Sequence, residues 1–528
     1  MALKPVLSKT LLLFILSLCL FLLLRLWNIS GFLYFIYDQG RDATRLAELA
    51  QGSLAIVGPT TGIEGLFLGP LWYYAGLPGY LLSNGNPAGI AAWFICLSAF
   101  AFPGFWWISR EIFKNPQGGS GDRENIISQL LSWVCLALFI VLPASIISST
   151  TIWNCLMGAP LMVAALYCFW RVRSDKHKIL WLAGGFFAIA LTLQSEFAYA
   201  VFFLPVLFVQ ITWFTGRKKI KDFVAAAIAV TVTLIPQFVF EVRHQFIMST
   251  SLLRTLLDHT QTVSWETQIS RRPLQLVDIT VDMFNNPDVN SWTTRTLIVT
   301  MLFLGATTVL NLRQHGSVSS KTPPQTYLKQ LVLLFAVIPY PFYLLWRGNG
   351  GNFFSYYLTS HFVFLIPLFV LGMKCIADAF WKYAFGKIMT AVLFIAILLP
   401  LLLGSISHWT NAIGSPVNQA GILEMQAAVR EAYQLRDTER TATLIITPNI
   451  HSTHYDYLFH YYADQHQLSP PITIVSPDDK QLILVIERNG PLFSDYVVAQ
   501  RKALTEETEW RKKRVKFFGV ITVEEWVR

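Results

Sequence analysis

About twelve apolar runs, most of them near the ~20 residues needed to cross a lipid bilayer, recur along this chain. They fall at residues 10–27, 65–82, 90–109, 127–143, 153–170, 179–193, 196–214, 223–242, 293–311, 327–346, 356–373 and 388–405. Charged residues are 14% of the 528, against roughly a quarter in soluble proteins, and hydrophobic ones 54%. The pattern predicts a mainly α, polytopic membrane protein. A net charge of +9 does not mark a nucleic-acid partner, because the cations sit in short clusters between apolar runs, such as Arg171 to Lys178, Arg217 to Lys221, and Lys382 with Lys387. Such clusters read as cytoplasmic loops.

Counting cations from Lys4 and Lys9 places the N-terminus in the cytoplasm, with loops 110–126, 171–178, 215–222, 312–327 and 374–387. Residues 28–64, 243–292, 347–355 and everything after 405 then face outward. The first run reads as a retained helix with Arg25 and Trp27 at its interfacial end, not as a cleaved signal. Opposite faces for the two termini require an odd number of crossings, so one run does not span. The candidates are 65–82, rich in Gly and Pro, and 179–214, interrupted around Gln194-Ser195-Glu196. All six cysteines lie in or beside apolar runs, which implies no disulfide framework. After residue 405 the composition turns soluble. The helical period of GILEMQAAVREAYQL gives way to strand-like TLIITP, ITIVS and QLILVIER and then to RVKFFGVITVEEWV, which predicts a small extracytoplasmic α/β domain over 406–528 beside a membrane domain over 1–405.

Residues 37–74 stand out chemically. If 38–51 is helical, Asp38, Arg41, Asp42 and Arg45 share one face just outside the bilayer, either as reactive groups or as the solvated side of an interfacial helix. The following VGPTTGIEGLFLGPLWYY is too rich in Gly and Pro for a regular helix before about Leu68. It predicts an irregular ledge whose freed amides can bind an anion or sugar hydroxyls. Glu64 lies on that ledge, and Trp72, Tyr73 and Tyr74 form either an aromatic belt or a sugar-stacking surface. Ionisable groups at membrane depth need a reason, which singles out Glu196, His361, and Glu241 with Arg243 and His244; Glu241 and Arg243 either pair at the interface or face a ligand. His451, His454, His460 and His466 lack a third close ligand in a defined arrangement and are not read as a metal site.

The acidic motif after the first run, the Gly69-Pro70-Leu71-Trp72-Tyr73-Tyr74 return, the break near Gln194 and FEVRH leading into a second long outer loop together resemble the GT-C integral-membrane glycosyltransferases. The resemblance is to relatives of protein O-mannosyltransferases and of aminoarabinose and Rhizobium lipopolysaccharide sugar transferases. It covers roughly residues 10–405 and implies a GT-C-type bundle of about 11–13 helices with outer-face juxtamembrane helices. It also implies a polyprenyl-phosphate sugar donor, a glycan, lipid or protein acceptor in the cell envelope, and an acidic residue from the first outer loop, Asp38 or its neighbour Asp42. Two departures are Gly69-Pro70 where Pro-Pro is usual, and eight apolar runs before the second outer loop where seven are usual.

The chemistry itself asks for a carboxylate to take the acceptor's proton and for cations to neutralise the departing phosphate. Asp38 is the expected base. Arg41, Arg243, His244, Arg347, Tyr356 and Tyr357 are the expected phosphate ligands, and Glu64, Gln194, Glu196, Trp72 and Tyr73 are expected to line the substrate. No cofactor is expected, although Asp38, Asp42 and Glu64 offer a divalent metal three carboxylates. A lipid or glycan transporter is the alternative; it would want paired broken helices in two halves, and no duplicated halves are visible.

Overall fold

A computed structural model describes residues 4–114, 122–150, 152–174, 176–214, 220–257, 262–285, 291–314, 323–348, 353–380, 383, 385–413, 421–436, 440–448, 451–476, 478–488, 494–505 and 510–528. Among these, nine helices are long and apolar enough to cross a membrane, or ten if the pair Ile127–Val141 and Pro143–Thr150 is one span. That pair bends by 48° at Pro143, which has no amide to donate into the preceding turn. Two of the twelve apolar runs fall short. Run 65–82 is helical only over Leu71–Leu82, 12 residues or ~18 Å against a hydrocarbon thickness of ~30 Å. Run 196–214 forms no single helix of that length but breaks into Phe197–Ala200 and Phe203–Phe214; together these rise about 27 Å, and counting the broken pair as one crossing beside the other ten gives the odd number that opposite termini require.

The membrane helices pack through interlocked aromatic side chains, Phe21, Phe102, Phe105 and Phe139 among them, and through small residues. A Cβ on Gly305 would strike the Leu368 carbonyl, and one on Gly372 the Met301 carbonyl. Glycine at both places therefore lets Trp292–Gln314 and Phe362–Phe380 touch backbone to backbone. Arg25, expected at an interface, is instead fully buried: Nε donates to Ser149 Oγ (2.6 Å), Nη2 to Ser145 Oγ (2.9 Å) and Nη1 to the Phe21 and Ile140 carbonyls (3.0 and 3.2 Å). The bent helix supplies both serines, so the kink and the buried cation belong to one arrangement. Trp409 Nε1 donates to the Leu24 carbonyl (2.8 Å), which sets the ends of the first and last spans side by side.

On that face lies a second core. It joins Leu46 of the Tyr37–Ala50 helix, Trp72 and Phe94 to Met425, Tyr455, Leu458 and Ile483 from the end of the chain. The last long helix carries on through residue 405 to Ile413. Beyond it, four strands form a sheet in the order β1-β2-β4-β3. β1 (Thr441–Ile446) runs parallel to β2 (Gln481–Glu487); β4 (Ile521–Val527) is antiparallel to β2, and β3 (Arg511–Phe518) lies outermost, antiparallel to β4. Helices Ile422–Leu435, Thr453–His466 and Ser494–Thr505 complete it. The ITIVS run, expected as a strand, contributes only an isolated bridge from Ile472 to Ala442. The final strand-like run folds as a hairpin because Gly519, at φ +56°, turns it back.

Candidate active site

Asp38 stands in the first turn of the Tyr37–Ala50 helix, where the exposed amides favour an anion. Gln39 secures that turn: its Oε1 accepts from the Ile36 amide and its Nε2 donates to the Ile152 carbonyl, both at 3.1 Å. From the other side, Thr453 Oγ1 donates to the Tyr37 carbonyl (2.6 Å). Any Cβ on Gly40 would collide with the backbone of His454, so only glycine allows the two helices this close an approach. The helix with the acidic motif is thus held between the membrane bundle and the C-terminal helix Thr453–His466.

The two aspartates, equivalent on paper, differ in place. Asp42 is buried: Oδ1 accepts from Arg41 Nε (2.9 Å), Arg41 Nη2 (2.8 Å) and the Tyr73 hydroxyl (3.3 Å), and Oδ2 accepts from Trp72 Nε1 (2.8 Å). Burial pushes its carboxyl above the ordinary range, against the opposing pull of Arg41 and Trp72. Asp38 keeps 22% of its side chain exposed and pairs with Arg41 Nη1 at 2.8 Å. Arg41 also donates to Thr60 Oγ1 (2.9 Å). Burial lowers the proton affinity of its guanidinium, but Asp42 and Asp38 more than restore it. Trp72 stacks on Phe94 at 3.8 Å and Tyr73 is buried beside it; both belong to the core beneath Asp42.

The ledge closes on itself. The Gly58 amide donates to Leu68 O (2.8 Å), Leu68 N to Pro59 O (2.9 Å) and Thr61 N to Leu66 O (3.1 Å). Two further amides meet Gln194: Gly69 N donates to its carbonyl (3.2 Å) and Leu71 N to its Oε1 (3.3 Å), while its Nε2 donates to Thr233 O. Gln194 is therefore a buried tie between the ledge and the Ile220–Arg243 helix. Glu64 is exposed at the tip of the ledge. Among the described residues, no three His, Cys, Asp or Glu side chains gather closely enough to hold a metal ion.

A second cluster forms around Glu196, which sits in the break after the Lys178–Ser195 span. Burial pushes its carboxyl up to about 8, the Ala198 amide opposing. Tyr343, Tyr356 and Tyr357 share its electrostatic surroundings, and burial raises the phenols of Tyr356 and Tyr357. The Tyr356 and Tyr357 rings lie 4.7 Å apart, Tyr357 stacks on Tyr343 at 6.1 Å, and the buried Arg272 guanidinium lies 5.1 Å over Phe353. Segment 152–155 links the two clusters: Ile152 accepts from Gln39, the Trp153 ring meets Tyr356 edge-on at 5.8 Å, and Asn154 Nδ2 donates to the Ser195 carbonyl.

Other expected residues lie elsewhere. Arg243 and His244 are exposed at the end of their helix, where His244 stacks on Phe240 at 4.0 Å. Glu241 does not pair with Arg243; its carboxylate accepts from the Met248 amide (2.6 Å) and the Ser249 amide (3.0 Å), capping the Ile247–Leu257 helix. Arg347 Nη1 donates to Val263 O (3.2 Å) and its guanidinium lies 4.3 Å over Trp265. His361 is buried between the Tyr199 hydroxyl (3.1 Å) and the Ala336 carbonyl (2.9 Å), and His454 is buried 3.5 Å from Glu487. Tyr343, Arg272, Trp153 and Asn154 escaped the sequence reading. Only Arg272, a charge in an amphipathic outer segment, left a signal there.

The architecture is that of the GT-C glycosyltransferases, with nine or ten spans among the described residues, juxtamembrane helices and a small terminal sheet. The crystal structure of ArnT from Cupriavidus metallidurans in the apo state is similar over 99% of this chain and 98% of that one, with a TM-score of 0.59 and 11% identity. The same protein bound to undecaprenyl phosphate is similar over 98% of each chain, at 0.56 and 10%. The apo oligosaccharyltransferase of Archaeoglobus fulgidus is similar over 89% of this chain and 65% of that one, at 0.51 and 12%. No family model matches the sequence, and no curated protein matches it significantly.

Proposed function

We propose that this protein transfers a sugar from a polyprenyl-phosphate donor to a cell-envelope acceptor on the outer face of the membrane, with Asp38 as general base. The acceptor O–H attacks the anomeric carbon as its proton passes to Asp38. The bond from that carbon to the phosphate oxygen breaks with its electron pair, and the configuration inverts. The observation that carries this reading is the division of labour on one helix: Asp42 is consumed by four hydrogen bonds, whereas Asp38 is part-exposed, fixed by Arg41 and free to meet a substrate proton. Arg41 is then the nearest cation to the reacting centre. The Tyr356–Tyr357 pair, with Arg272 close enough to feel the Tyr357 phenol, is the second set of donors suited to a lipid phosphate.

Support for orientation comes from the Trp409–Leu24 contact. The last span ends beside the end of the first, so the described residues after 420 share a face with Asp38, opposite the face from which the first helix starts. Positive-inside counting makes that shared face the outer one. The test is incubation of purified protein with a panel of radiolabelled polyprenyl-phosphate sugars and candidate acceptors. Sugar release or transfer by wild type that disappears in Asp38→Asn is the expected result. Full turnover by Asp38→Asn would remove the proposed base.

A further inference from the structure

We infer that the outer edge of the terminal sheet is a docking strip for anionic lipid headgroups of the leaflet on which it stands. β3 reads RKKRVKFF, and every residue before Phe518 is exposed. Among the described residues it pairs only with β4, so one row of its backbone donors faces no strand there. Lys512 (2.9 Å) and Arg501 (3.0 Å) reach Glu524, Lys513 (2.7 Å) and Arg514 (3.9 Å) reach Glu525, and Lys516 (2.6 Å) reaches Glu431. The carboxylates are buried at 1–8% side-chain exposure, Glu524 and Glu525 on opposite faces of the neighbouring β4, while the β3 cations that cover them keep 34–59%. With Arg511, six cations stand over three carboxylates, and the surplus is positive and outward.

A cationic edge is also a defence against strand-to-strand aggregation, and that role would need only one or two lysines. It leaves unexplained why Phe517 is 63% exposed among them. Position supplies the reason. The hairpin turn at Gly519 meets Glu424 (a Cβ there would lie 3.2 Å from Glu424 Cγ). Gly421, at the foot of the same helix, faces the Gly31 carbonyl at 3.8 Å on the same measure. Gly31 closes the first membrane span, which ends beside the last. The Phe517 end of the strand is therefore the end turned toward the close of the first span; Trp27, four residues before Gly31, and Leu423, beside Glu424, are exposed as well. A basic strip tipped with an exposed aromatic at that level matches an anionic headgroup layer in charge and in amphipathicity.

Hydrogen exchange on the full chain in nanodiscs tests this, comparing phosphatidylcholine alone with phosphatidylcholine plus phosphatidylglycerol. Amides of 511–518 should exchange several-fold more slowly in the anionic discs, with β2 unchanged as the internal standard. The difference should vanish in molar salt, where the screening length is ~3 Å. Arg511→Gln with Arg514→Gln, which leaves Lys513 on Glu525, should remove most of that protection, since each cation near an anionic surface contributes about fivefold in binding. Phe517→Ser should weaken it without altering its salt dependence. Equal exchange in the two lipids overturns the proposal. So does equal protection in phosphatidylcholine discs by a soluble acidic polysaccharide, which would assign the strip to a soluble anionic partner.

Discussion

At the scale of single residues, Asp38 and Asp42 are separated by environment, since both are carboxylates one turn apart on one helix. Asp42→Ala strands Trp72 Nε1 and half of the Arg41 fork in a buried site, which should cost about 2 kcal/mol or more and appear as a lowered thermal midpoint. Asp38→Asn removes a part-exposed carboxylate and should leave the midpoint within about 0.5 kcal/mol of wild type while transfer falls by roughly a hundredfold or more. Paired measurement of unfolding and transfer separates the two. Glu196 supplies a pH signature. Its folded carboxyl titrates near 8 against 4.5 for the free group, so between those values the folded state holds a proton that the unfolded state has lost. Stability contributed here is therefore full below pH 4.5 and declines as pH rises toward 8. Glu196→Gln should flatten that slope in a pH series of thermal unfolding in detergent.

At the scale of elements, the site depends on two contacts between segments far apart in sequence. Gly40→Ala must push the Tyr37–Ala50 helix off His454, with a cost of ~1–3 kcal/mol and a loss of transfer, because the same shift moves Asp38. Gly62→Ala is the control: nothing lies within 4 Å of a Cβ there, and neither stability nor transfer should change. Gln194→Ala should release the ledge from the Ile220–Arg243 helix and cost about 1–3 kcal/mol, read as faster proteolysis within residues 58–71. The helix bearing the acidic motif was legible from its periodicity, as was the irregularity of the ledge. The partners of both were not. A glycine at 40 and a glutamine at 194 carry no mark in a single sequence of which backbone they will touch.

At the scale of the whole molecule, the membrane spans could be read from apolar run length, because the bilayer's thickness and its lack of hydrogen-bond partners act on each segment separately. Ten of the twelve runs form a span or a bent span among the described residues, and the Gly/Pro-rich 65–82 is one of the two that fall short. Since the second core is built jointly from Leu46, Trp72 and Phe94 and from Met425, Tyr455 and Ile483, a chain truncated after residue 413 should lose more than its sheet. We expect a lower thermal midpoint, and loss of transfer even with Asp38 intact, because its helix would lose the Thr453 and His454 backing. What the sequence by itself determined is what local physics decides: membrane spans, the strand-rich end, and an acidic helix just outside the bilayer. Only the tertiary structure decided which aspartate is buried, that Arg25 and Glu241 are satisfied internally, and that Glu196 shares its electrostatic surroundings with three tyrosines from distant segments. Those are matters of desolvation and partner geometry, which arise when remote parts of the chain meet.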